Sequence, residues 1–81
     1  MKERYFTTDA IGEIEAAITD ILTDNMDEIE MAIQQQEMVD IPLKVRVVLA
    51  GSKIKIKVAT TISTGRIKDE RVAEVDMVLG A

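Results

Sequence analysis

Apolar positions in the first half of the chain recur as Ile11, Ile14, Ile18, Ile21 or Leu22, Met26, Ile29 and Ile33. This 3.6-residue spacing marks an amphipathic helix. Thr7, Thr8 and Asp9 supply N-cap chemistry, and the pattern predicts a helix over about 9–36. Its opposite face is acidic, with Glu13, Glu15, Asp20, Asp24, Asp27, Glu28 and Glu30, and no Lys or Arg falls between Asp9 and Asp40. Unrelieved like charge weakens an isolated helix, so packing must hold this one. Thr23-Asp24-Asn25 is a run of cap-type residues, and Asn25 with Glu28 fits a capping box. The stripe keeps its phase through them and no Gly or Pro intervenes. The segment therefore reads as one helix, with this triplet as the place for a break or kink.

The pattern changes after Pro42 to strict alternation. Leu43, Val45, Val47 and Leu49 share one face of a strand over 43–50, and Ile54, Ile56, Val58 and Thr60, with Ile62, share the same face of a strand over 53–62. Gly51-Ser52 between them has the chemistry of a two-residue type II′ turn. Residues 63–70 read as a loop, and 71–79 offer a third alternation with Ala73, Val75, Met77 and Leu79 on one side. The resulting fold class is α+β: one domain over 1–81, a long N-terminal amphipathic helix packed on a three-stranded antiparallel meander.

A helix over 9–36 would be about 40 Å long, whereas an eight-residue strand spans about 26 Å. The helix outruns the sheet, and its overhanging apolar stripe calls for a second protomer. Chain length points the same way, because 81 residues lie near the size at which a single core is only marginally sufficient. A homodimer through the aliphatic helix stripe is expected.

Turn geometry fixes the hairpin register: Leu49 faces Ile54, Val47 faces Ile56 and Val45 faces Val58. The same register sets Arg46 opposite Lys57 on the other face, with Lys44, Lys53 and Lys55 nearby. Directly opposed like charges are destabilising by up to about 1 kcal/mol, so something anionic should offset them. Glu74 and Asp76 alternate onto the same outer face and could do so internally. The acidic helix of another protomer, or a ligand carrying phosphate, would serve as well.

Charge is divided along the chain. Residues 1–40 carry 11 acidic and 2 basic side chains, residues 41–81 carry 4 acidic and 8 basic, and the net charge is −5. The halves suit complementary packing in an assembly, or two surfaces with different partners. Composition is 47% apolar but only 2% aromatic, with no Cys, Trp or His, so the core must be aliphatic. These absences remove the usual nucleophile–base pairs and the nitrogen or sulfur metal sites. Asp24 and Glu28 lie at i, i+4 but without EF-hand spacing, and Gly51-Ser52-Lys53 and Ser63-Thr64-Gly65-Arg66 contain no Walker or dinucleotide fingerprint. No enzyme, cofactor or metal is expected. No apolar window reaches the roughly 18 residues of a membrane span, and MKERYFTTDA does not read as a signal peptide, so the expectation is a cytoplasmic protein with no membrane partner.

Two binding surfaces are thus candidates. Lys44, Arg46, Lys53, Lys55 and Lys57 would contact single-stranded nucleic acid or a nucleotide through phosphate, without the aromatic stacking that single-strand binders usually add. Asp20, Asp24, Asp27 and Glu28 would contact a basic protein partner in the manner of an inhibitor or adaptor that imitates spaced DNA charges. A third reading is a purely structural oligomeric protein, with both charged faces serving solubility and assembly.

The stretches IGEIEAAITDIL, LKVRVVL and IKIKVATTIS followed by IKDERVAEVD resemble, in order and charge, a group of very small bacteriophage and prophage proteins in which an acidic amphipathic helix precedes a Lys-rich hairpin. The resemblance covers most of the chain and rests on pattern. It implies a non-enzymatic accessory or counter-defence protein and transfers no catalytic residue.

Overall fold

The computed structural model describes residues 3–61 and 68–79. It is an α+β fold in the order β1 (Glu3–Arg4), α1 (Thr8–Asp24), α2 (Met26–Gln36), β2 (Leu43–Ala50), β3 (Lys53–Thr61), β4 (Lys68–Asp76) and β5 (Val78–Leu79). The Thr7 hydroxyl caps α1 by accepting the Ala10 N–H at 3.4 Å. One face of α1 buries Ala10, Ala17 and Ile21 against Ile54, Ile56, Val58 and Val75, with Tyr5, Ile14 and Ile18 packed around them. The core is aliphatic, as composition requires.

The helical segment divides at Asn25, whose φ of −110° leaves the helical range. The hydrogen-bond ladder nevertheless crosses the break: Asn25 N–H donates to Ile21 O at 3.2 Å, and Ile29 N–H donates to Asn25 O at 3.0 Å. The capping box with Glu28 does not form. Asn25 spends its side-chain amide on Ile21 O at 2.8 Å and on Asp69 Oδ2 at 3.0 Å, which turns it away from the start of α2. At the other end, α2 stops at Glu37, which takes a left-handed φ of 59° and donates its N–H to Ile33 O.

The main sheet has the order β2-β3-β4, antiparallel throughout. Its hairpin register is the expected one, with Leu49 opposite Ile54, Val47 opposite Ile56, Val45 opposite Val58 and Arg46 opposite Lys57. Gly51 has φ +66° while Ser52 stays at negative φ, the sign pattern of a type II′ turn. The third strand differs from the expected 71–79. It begins at Lys68, inside the segment read as a loop, and ends at Asp76. Val78–Leu79 then leaves to pair with Glu3–Arg4 in a separate two-stranded sheet, so Leu79 does not extend the main alternation. Ile62 lies outside the described residues. Thr60 is buried and donates its hydroxyl to Pro42 O at 2.6 Å, which satisfies the one polar side chain buried in the described core.

Helix α1 packs on β3 and β4 but not extensively on β2, and α2 forms no extensive interface with any strand. A helix about 10 Å across covers roughly two strands spaced about 4.8 Å apart, so the third is left uncovered. Leu43, Val45, Val47 and Leu49 accordingly point to the correct face yet remain 38–61% exposed. The molecule is elongated, with a longest extent of 54 Å and a Cα radius of gyration of 15.7 Å. About 12 Å is typical of a compact chain of this length. Among the described residues, no helix is long and apolar enough to cross a membrane.

Candidate anion-binding face

Alternation puts Lys53, Lys55 and Lys57 of β3 on the sheet face away from α1, and pairing adds Lys44 and Arg46 of β2. All five cations proposed from sequence therefore share one face. β4 brings acids to it: Asp76 lies opposite Lys53, Glu74 opposite Lys55 and Glu70 opposite Ala59. Glu74 holds Lys53 at 3.2 Å and Lys55 at 3.9 Å, and Glu70 holds Lys57 at 2.9 Å. These side chains are about half exposed, so each pair stabilises by at most about 1 kcal/mol. Their main effect is to set two carboxylates against three of the five cations within the protomer. Glu74 is one of the two acids expected from sequence; Glu70 lies in a stretch whose sequence reads as a loop, so its part in this face is not evident from sequence. No ion pair joins Asp76 to Lys53.

Lys44 and Arg46 are different. Among the described residues neither has a carboxylate within ion-pair distance, although Arg46 faces Lys57 directly. With Lys57 and Ala59 they line a shallow cavity of about 110 Å³. That is the liquid volume of about four waters, enough for a phosphate group. The candidate site thus contracts from five cations to a corner made by Lys44 and Arg46, with Lys57 shared between it and Glu70.

The acidic candidates do not act as a unit either. Asp24, at the end of α1, ion-pairs with Arg71 of β4, while Asp20, Asp27 and Glu28 are exposed. Arg71 also holds Asp69 Oδ1 at 2.5 Å. Asp69, Arg71, Asp24 and Asn25 therefore form a polar cluster on the helix-facing side of β4, where Thr60 and Val58 are the neighbours in β3. The Arg71 guanidinium, helped by the Asn25 amide and the Glu70 N–H, holds the Asp69 carboxyl below the usual carboxylate range against a smaller opposing effect of burial. Asp69 and then Asp24 raise Arg71 in turn. This cluster ties the α1–α2 junction to the sheet. The cap-type triplet marked the junction in sequence, but nothing there marked its partners.

No family model, curated protein or solved structure matches the chain.

Proposed function

We propose that the protein is a non-catalytic binding protein, working as a homodimer, whose basic sheet face takes a phosphate-bearing partner, single-stranded nucleic acid or nucleotide, at Lys44 and Arg46. One observation supports this above the others. Among the described residues, Lys53, Lys55 and Lys57 have acids within ion-pair distance whereas Lys44 and Arg46 have none, beside a cavity large enough for a phosphate. Two or three cations give a backbone contact that is weak and strongly salt-dependent. Bases add little, since the face has no aromatic side chain to stack on them.

Titration of a fluorescent oligonucleotide and of a nucleoside triphosphate at low salt tests the reading. Binding should weaken as salt rises and be lost in the Lys44→Glu/Arg46→Glu variant, while Lys53→Glu alone has a smaller effect. Absence of binding to both probes, or full binding by the double variant, would refute it.

A second reading draws on α2, where Asp27, Glu28 and Glu30 are exposed on a helix that lacks an extensive interface with the sheet. Such a segment suits a basic protein groove. Charge reversal at Asp27 and Glu28 would then abolish capture of a cationic partner while leaving phosphate binding intact.

A further inference from the structure

Among the described residues, the main sheet has two open edges, β2 and β4. Six of the nine β4 residues are charged, a common protection against edge pairing, whereas β2 carries only Lys44 and Arg46 among its eight. The Ala50–Lys53 pair closing the two-residue turn is hydrogen-bonded in such hairpins, so Val45, Val47 and Leu49 turn their backbone N–H and C=O groups toward the open edge.

Side chains add an apolar face to that edge. The Asp24–Arg71 pair fixes the acidic flank of α1 toward β4. Ile11, Ile18 and Leu22 lie roughly 100–140° around the helix from Ala17, which turns them toward β2. On the same side of the sheet, Val45, Val47 and Leu49 remain 42–61% exposed. The chain exposes 5860 Å², about 1,000 Å² more than a folded monomer of its mass. A standard interface takes about 800 Å² from each partner.

We propose that the occupant is a second copy of this chain, pairing β2 antiparallel with its counterpart about Val47 to make one six-stranded sheet. Charge selects both partner and register. A two-fold centred on Val47 sets Arg46 beside Val48 of the partner subunit and Lys44 beside Ala50 of the partner subunit, so no cation opposes another. Val45 then meets Leu49 of the partner subunit on the apolar side. Centring on Arg46 would oppose the two guanidinium groups, and centring on Val48 would shorten the ladder to residues 46–50. A one-residue slip would set apolar side chains against the charged face. Pairing also joins the two corners of unmatched cations: the Arg46 Cα atoms fall about 8 Å apart by strand geometry, within one band of four cations. That band rests on the anion-binding reading; the interface itself does not.

Single cysteines in the otherwise Cys-free chain test the register. Val47→Cys should link two full-length chains with a short bis-thiol reagent, because across the two-fold it faces itself at about 5.5 Å. Val45→Cys should not, lying about 14 Å from its copy, and Val45→Cys/Leu49→Cys should link again. Val47→Pro, which spares the ladder to β3, should convert a dimer to a monomer by sedimentation with its circular dichroism unchanged. A monomer at about 100 µM wild-type protein, or equal linking of Val45→Cys and Val47→Cys, would overturn the proposal. So would a dimer whose Val47→Cys stays unlinked, since the partner's helix would then cover the exposed side chains of β2. Linking without phosphate binding would sink only the anion-binding reading.

Discussion

Asn25 donates its side-chain amide to Asp69 Oδ2 at 3.0 Å across 44 residues of sequence, so the break between α1 and α2 is tied to the third strand of the sheet. The same amide satisfies Ile21 O, a carbonyl near the end of α1. Asn25→Ala removes both bonds and should destabilise the protein by about 1 kcal/mol. In a domain of this size that is a fall in Tm of about 4–8 °C, measurable by thermal denaturation. Asn25→Asp should do worse than Ala, because it sets a second carboxylate against Asp69.

Acid should release the same cluster. The folded Asp69 carboxyl lies below its unfolded value, chiefly because it accepts from Arg71. It therefore contributes stability that is present above the usual Asp range, near pH 4, and lost as pH falls through the lower folded value. Urea denaturation at a series of pH values should show stability falling below about pH 4. Arg71→Leu should flatten that fall, because Asp69 then titrates closer to its unfolded value.

Three backbone positions carry opposite expectations. Glu37 holds a left-handed φ of 59° with a Cβ, and Glu37→Gly should stabilise by about 0.5–1 kcal/mol. Gly12 sits inside α1 with nothing within 4 Å of where a Cβ would stand, so Gly12→Ala should stabilise by about 1 kcal/mol. Gly51 also has open space, yet its φ of +66° makes Gly51→Ala destabilising. Chemical denaturation of the three variants checks all the signs.

The hairpin was legible in sequence because three independent signals agree: alternation in Leu43 to Leu49, alternation in Ile54 to Thr60, and a two-residue turn that fixes one register. The start of the third strand was not. Asp69 and Arg71 occupy the inward-facing positions there, and a charged residue at an inward position looks like loop unless its partners are known. Asp24 and Asn25, which match them, lie more than 40 residues away. Exposure of β2 was equally hidden, since alternation tells which side chains share a face but not how far a helix reaches across it. For the site, the cations and their common face followed from parity, whereas their neutralisation by Glu70 depended on that missed strand.

Glu74 holds both Lys53 and Lys55, so its removal should enlarge the basic corner rather than merely weaken the sheet. Its side chain is about half exposed, and the pairs it makes stabilise little. Glu74→Gln keeps the shape and frees two cations. Affinity for a single-stranded oligonucleotide should rise, and the slope of log K against log salt should steepen by about 0.7 for each additional phosphate contact. Glu70→Gln should act similarly through Lys57, which lines the cavity with Lys44 and Arg46. Unchanged affinity and slope in both variants, measured by fluorescence anisotropy from low to moderate salt, would mean that the freed amines do not face the ligand. Phosphate contact at Lys44 and Arg46 would then have to be local to β2.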